Sequence, residues 1–216
     1  GPGLNGSHMD MLHQSSYCMG VAHERANAYW VFNGHNQAID RYDFVGDHGP
    51  GEEDHSDGVI HRWISGEVER IENVPSQMHY DKETDYLYIA DTGGGRVLKL
   101  DTTSGRPGSP IMPNVDEVAT QYHQEDADFE VLFRDRTIIR NPSGLVIHDY
   151  VIYVTDFDTG MIVALNDKGE VLRKLSTGLP RRSAGSLAVG PDDKLYLANP
   201  TDGVVYRINH DPHGFE

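Results

Sequence analysis

Four segments of this chain repeat one arrangement of strands and turns, and that recurrence limits its possible folds more than any other feature. They read CMGVAHERANAYWVFNGHNQAIDRYDF, SQMHYDKETDYLYIADTGGGRVLKLD, SGLVIHDYVIYVTDFDTGMIVALND and GSLAVGPDDKLYLANPTDGVVYRIN. Each has a short apolar run and a polar turn, then an aromatic-rich strand ending in Asp or Asn. A turn and an amphipathic strand follow. The strand-ending residues are Asn33, Asp91, Asp156 and Asn199, with spacings of 58, 65 and 43 residues. The last spacing is close to a bare repeat, so the first two contain insertions.

The residue types explain the pattern. YLYIAD, VIYVTD and KLYLAN are rich in β-branched and aromatic residues and nearly continuous in apolar character, as strands covered on both faces are. RVLKLD, MIVALN and VVYRIN include the alternation of strands nearer the surface. The turns DTGGG, DTG and PTDG supply glycine where the backbone needs positive φ. No segment has convincing helical periodicity. A four-stranded antiparallel unit of about 40 residues, repeated, predicts an all-β fold: a β-propeller of four-stranded blades, four of them visible here.

These segments resemble NHL repeats, with YLYIADTGGGRVLKLD the clearest copy, and the resemblance spans most of residues 17–210. It implies a ring that usually has six blades. The blade region is therefore placed at 17–210, between an N-terminal segment 1–16 and a tail 211–216. GSHM at Gly6–Met9 has the form of a cloning remnant. The fourth repeat lacks an outer strand after Asn209. Either Met11–Tyr17 supplies that strand, or the chain is part of a larger ring; the second reading is preferred because four blades make a narrow ring.

The chain carries 34 acidic against 18 basic residues, a net charge of −16, which opposes binding to a phosphate backbone. No run of apolar residues is long enough for a membrane span. Cys18 is the single cysteine, so neither an intrachain disulfide nor a cysteine-based zinc site can form. Acidic excess and Asp-Gly turns are compatible with an extracellular or periplasmic setting.

The stretch DHGPGEEDHSDG, Asp47–Gly58, concentrates chemistry. If AIDRYDF is the third strand of blade one and GEVERIEN the fourth, Asp47–Arg62 is an insertion on the face that also carries the turns between first and second strands. His23 and His148, at the ends of the first strands of blades one and three, face that side. His35 and the Arg181–Arg182 pair belong to the opposite face. His23, Asp47, His48, Asp54, His55 and Asp57, with His61 nearby, then form a candidate metal site. Mixed imidazole and carboxylate suits Zn, Cu or Fe, whereas the carboxylates with backbone carbonyls suit Ca²⁺. The loop lacks the ligand order of an EF-hand. A solvated acidic loop is the competing reading.

Other candidates are weaker. Cys18 and Met19 point to opposite sides of a strand and are expected to pack in the core. His79 lies on a first strand and faces the channel as a ligand, a base or a hydrogen-bonded core residue. Gln121–Phe133 reads as the outer strand of blade two with an acidic bulge at Glu125, Asp126 and Asp128. Asp91, Asp156 and Asn199 cap their own turns. Some NHL-like propellers are metal-dependent lyases or lactonases with PHG at the start of inner strands. Here Ser76 and Ser143 occupy the histidine positions, and Cys18 the matching one in blade one. The sequence thus favours a non-catalytic, metal-stabilised binding propeller, with a protein partner or the remaining blades as its complement. A metal-dependent lyase or lactonase using a His/carboxylate site is the alternative.

Overall fold

Strand pairing follows the repeats. In a computed structural model, residues 12–46, 57–114 and 119–209 are described. Blade one comprises β1 (Cys18–His23), β2 (Ala28–Asn33), β3 (Ala38–Asp43) and β4 (Val59–Trp63), paired antiparallel in that order. Blade two begins with β5 (Met78–Asp81), β6 (Tyr86–Asp91) and β7 (Arg96–Asp101). The chain then leaves it to form a hairpin, β8 (Arg106–Pro110) and β9 (Thr120–Glu125), before β10 (Phe129–Phe133) returns as the outer strand of blade two. Blade three is β11 (Pro142–His148), β12 (Val151–Asp156), β13 (Met161–Leu165) and β14 (Val171–Ser176). Among the described residues blade four has three strands, β15 (Leu187–Val189), β16 (Leu195–Asn199) and β17 (Val204–Arg207).

The near-continuous apolar runs are explained by burial on both faces. In β2, Trp30 and Phe32 face blade two and pack with Ile39, Trp63, Tyr80, Leu87 and Ile89. Ala90, Val97, Leu145, Val154 and Val163 join blades two and three in the same way. Val146, Ile162, Leu187 and Leu197 join three and four. The outward face of blade one is covered differently: Val31, Tyr42 and Ile60 pack against Ile111, Ala119, Leu12 and Phe44.

The recurring polar residues are wholly buried and bond the turn that follows them. The Asn33 carboxamide oxygen accepts the Asn36 N–H at 3.0 Å, that of Asn199 accepts Thr201 N–H at 3.0 Å, and the Asp156 carboxylate accepts the Thr159 hydroxyl at 2.7 Å. Asp91 accepts Gly94 N–H of its own turn at 3.4 Å, and also Glu69 N–H at 2.7 Å and Arg96 Nε at 2.7 Å. Four residues after each of these sits a backbone with positive φ: Gln37, Gly95, Gly160 and Gly203. Three are glycine, for which the left-handed region carries no steric cost. The expected capping role holds.

Four expectations are corrected. The outer strand of blade one is Val59–Trp63, not Gly66–Asn73. Ile60 and Trp63 supply its buried apolar side chains, with Arg62 buried between them, whereas Gly66–Asn73 buries only Val68 and begins at a glycine with φ +81°. Charged alternation in GEVERIEN imitates a surface strand without an apolar face. Second, Gln121–Phe133 is two strands broken at Asp126, φ +55°. The first of them, β9, pairs in parallel with β4 and so belongs to blade one. Third, of the two readings for Met11–Tyr17 the less favoured one does not hold: residues 12–17 form turns and bends and not a strand of blade four, while Met11 lies outside the described residues. Gln14 and Ser15 bind blade one instead: the Gln14 carbonyl accepts Arg62 Nη2 at 2.6 Å, and Ser15 Oγ donates to Asp40 at 2.6 Å. Fourth, Cys18 is exposed, and only Met19 packs against the core.

Candidate functional site

The first strands of blades one, two and three meet around a cavity of about 660 Å³. Each contributes a histidine to its lining: His23 from the end of β1, His79 from β5 and His148 from the end of β11. Lys82 and Glu83 come from the turn after β5, Asp149 and Tyr150 from the turn after β11. Val21 and Tyr150 are 51% and 84% exposed, so the mouth presents apolar surface among polar groups.

Strand register explains the convergence. Val21, Met78, Leu145 and Leu187 pair with Val31, Ile89, Val154 and Leu197, each two residues before a capping Asn or Asp. They therefore occupy one row. The row also aligns Ser76 and Ser143 with Met19, one residue beyond the Cys18 equivalence expected from sequence. Gln77, just before β5, is two positions from His79, so the two share one side of the extended chain. The Gln77 carboxamide ties three inner strands together below the cavity. Nε2 donates to the Leu187 carbonyl at 2.7 Å, and Oε1 accepts the N–H groups of Leu187 at 2.9 Å and Leu145 at 3.2 Å.

The histidines have different surroundings. His23 Nε2 lies 3.1 Å from the Ala26 carbonyl and Nδ1 3.3 Å from Lys82 Nζ, while its ring packs on Tyr29 at 5.2 Å. His148 Nε2 is 3.5 Å from an Asp149 carboxylate oxygen. Burial pushes the His79 imidazole below its ordinary 6.5, the nearby Lys82 charge adding to the effect and Asp81 opposing it. It is a neutral ring at pH 7. Ser76 and Ser143 are buried and bonded to the neighbouring threonines, at 2.7 Å to Thr92 Oγ1 and 2.9 Å to Thr155 Oγ1, which makes them structural.

Of the six residues assigned to a metal site, Asp47, His48, Asp54 and His55 lie outside the described residues. His23 lines the central cavity, and Asp57 accepts the Gly46 N–H at 3.3 Å. The insertion leaves blade one beside the β1–β2 turn as expected: the Phe44 N–H donates to the Asn27 carbonyl at 3.1 Å, and Asn27 Nδ2 to the Gly46 carbonyl at 2.9 Å. Among the described residues, no three His, Cys, Asp or Glu side chains are grouped closely enough to hold a metal ion. His61 is not brought to His23; it bonds Tyr122 on β9. Arg181 pairs at 2.6 Å with Asp158 of the β12–β13 turn, on the face expected for it. Lys82 and Tyr150 were missed because turn residues carry no periodic signal. Gln77 was missed because its role depends on strands 68 and 110 residues away.

Comparison with solved structures identifies the architecture. A streptogramin B lyase superposes with a TM-score of 0.54 at 13% identity, over 90% of this chain and 52% of its own. The structure of a nidogen/laminin complex gives 0.55 at 14% over 86% and 57%. The fold is a β-propeller. A computationally designed protein, Ika4, gives 0.52 at 14%, over 91% of this chain and 92% of its own. The chain thus spans about half the length of the natural propellers named here. No family model and no curated protein matches it.

Proposed function

We propose that this chain is a non-catalytic binding propeller whose partner docks on the face carrying the His23–His79–His148 cavity. The carrying observation is the character of that mouth: exposed Val21 and Tyr150 stand among His23, Lys82, Glu83 and Asp149, a mixture suited to a protein interface with an apolar centre and a polar rim. Beneath it Gln77 bonds β11 and β15, which restrains two of the strands below the mouth and lowers the freedom lost on binding. The partner is a protein segment or the remaining blades of a larger ring. In this reading the Asp47–Asp57 insertion takes a cation that shapes the same face, with His48, His55 and the loop carboxylates as its donors.

The alternative, a metal-dependent lyase or lactonase, draws support from His79, a neutral imidazole in an open cavity and so available as a base at pH 7. Metal analysis of protein prepared without chelator separates the two. Calcium at one equivalent supports the binding module. A stoichiometric transition metal whose removal abolishes turnover of an ester or lactone overturns it, as does loss of that turnover in His48→Ala or His55→Ala.

A further inference from the structure

Charge is unevenly distributed over this chain. Its net charge is −16, yet one sector of the face opposite the histidine cavity is positive. Three segments build that sector. Residues 134–141 join blade two to blade three, residues 177–186 join blade three to blade four, and residues 157–160 are the β12–β13 turn. Together they carry Arg134, Arg136, Arg140, Arg181 and Arg182 against Asp135 and Asp158. All five arginines are exposed.

Asp158 is the centre of the cluster. Arg140 Nη1 and Arg181 Nη2 both donate to its Oδ2, at 3.2 and 2.6 Å. The Arg182 N–H donates to the Phe157 carbonyl of the same turn at 2.8 Å. On the blade-two side, Arg136 Nη2 donates to the Gly94 carbonyl at 2.9 Å. A Cβ on Gly95 would lie 2.8 Å from both the Arg136 guanidinium carbon and the Arg140 carbonyl oxygen, so glycine lets these segments close on one another. Asp135 is turned onto its own segment, accepting the Thr137 N–H at 2.8 Å and its hydroxyl at 2.7 Å.

One carboxylate oxygen therefore serves two guanidinium groups, and the cluster keeps an excess of positive charge. The Arg181 hydrogen bond holds the Asp158 carboxyl below the ordinary carboxylate range, so that excess already counts Asp158 as ionised at neutral pH. The Arg140 and Arg181 side chains are 55% and 67% exposed, so their pairs with Asp158 stay hydrated and hold each arginine only weakly. Each guanidinium has five donors in a planar fork and gives one to Asp158, so its exposed side can take a second carboxylate.

We propose that this sector binds an acidic segment of a partner protein, its carboxylates bridging Arg140 and Arg181 across from Asp158 and pairing with Arg136 and Arg182 beside them. Charge complementarity selects that occupant. A long polyanion such as nucleic acid meets repulsion from the rest of the acidic chain, whereas a short acidic segment stays within the positive sector. Planar guanidinium forks also match the geometry of carboxylates. The surface lies on the face opposite the cavity mouth, so it is separate from the docking proposed there.

The test is fluorescence anisotropy of the whole chain with labelled peptides that alternate Glu with Gly. A Lys–Gly peptide and a single-stranded oligonucleotide serve as comparisons. The expected result is saturable binding of the glutamate peptide alone, weakening roughly tenfold as salt rises from about 50 to about 200 mM. The double variant Arg140→Ala, Arg181→Ala is expected to weaken binding about tenfold or more. Arg181→Lys keeps the charge but loses the fork, and is expected to weaken it about three- to fivefold. Arg25→Ala, which removes an arginine paired with Asp85 on the cavity face, should bind as the unaltered chain does. The proposal is overturned if the glutamate peptide does not bind up to about 1 mM at low salt. It is also overturned if the lysine peptide or the oligonucleotide binds as tightly, if Arg25→Ala loses as much as the double variant, or if Arg181→Lys binds unchanged. A dimer in sedimentation that dissociates in Arg181→Lys would overturn it too, by assigning the sector to a second copy.

Discussion

Asp40 shows how much one residue can organise. It is fully buried in β3 and receives Arg62 Nε at 2.8 Å and Nη2 at 2.9 Å, Asn33 Nδ2 at 2.7 Å and the Ser15 hydroxyl at 2.6 Å. Oδ2 accepts three of these bonds and Oδ1 the fourth, so both carboxylate oxygens are bonded, as a charge in a low-dielectric site requires. Removing it strands a buried guanidinium. Asp40→Ala is expected to cost about 3–5 kcal/mol in urea unfolding, whereas Asp43→Ala, on a half-buried carboxylate, costs about 1 kcal/mol or less. His61 sets a pH dependence by the same logic. Burial, chiefly, and then Arg41 lower its folded pKa from 6.5 to about 4. The unfolded chain therefore binds a proton that the folded one refuses between those values. Stability is retained above pH 6.5 and falls as pH drops from 6.5 toward 4. His61→Gln removes this component, so the wild-type-minus-variant difference in unfolding free energy should shrink across that window. The tool is urea denaturation at a series of pH values.

At the scale of elements, close approach of inner strands distinguishes this ring from a stack of independent sheets. A Cβ on Gly144 would lie 2.6 Å from the Gly185 carbonyl oxygen and 2.7 Å from the Leu187 nitrogen, both main-chain atoms of blade four. Gly144→Ala must push β11 and β15 apart, and we expect a loss of about 1–3 kcal/mol in urea unfolding. Gly66→Ala, which meets no neighbouring atom but has φ +81°, tests backbone strain alone and should cost about 1 kcal/mol. The elements were unequally legible in sequence. Strands β2, β6, β12 and β16 announce themselves through apolar runs ended by a capping Asp or Asn. Strand β4 did not, because an acidic loop precedes it and GEVERIEN alternates more plainly while burying almost nothing. The β8–β9 hairpin was unreadable for another reason: parallel pairing of β9 with β4 is a contact between segments some 60 residues apart.

Across the whole molecule, the two ends of the arc differ. The free face of blade one is covered by Leu12, Phe44, Ile111 and Ala119. Blade four has three strands among the described residues, and Val204 and Val205 on β17 are 42% and 64% exposed. Blade two, by contrast, is enclosed between blades one and three. Stability should be graded accordingly. Native-state hydrogen exchange is expected to find the amides of β6 and β7 among the slowest and those of β17 among the fastest, opening well below the global unfolding free energy. Uniform protection across all blades would contradict this gradient.

By itself, the sequence determined the repeat, the radial all-β architecture, the buried caps at Asn33, Asp91, Asp156 and Asn199, and the face to which His23, His148 and Arg181 belong. All of these follow from local physics: side-chain alternation along a strand, turn chemistry, and the fixed up-and-down path of a meander. Tertiary structure alone decided that His23, His79 and His148 share one cavity, that Gln77 joins three blades, and that Trp30 and Trp63 pack against each other in the core between blades one and two. Those arrangements depend on the angle and distance between sheets, which arise from packing among residues far apart in the chain and leave no periodic trace along it.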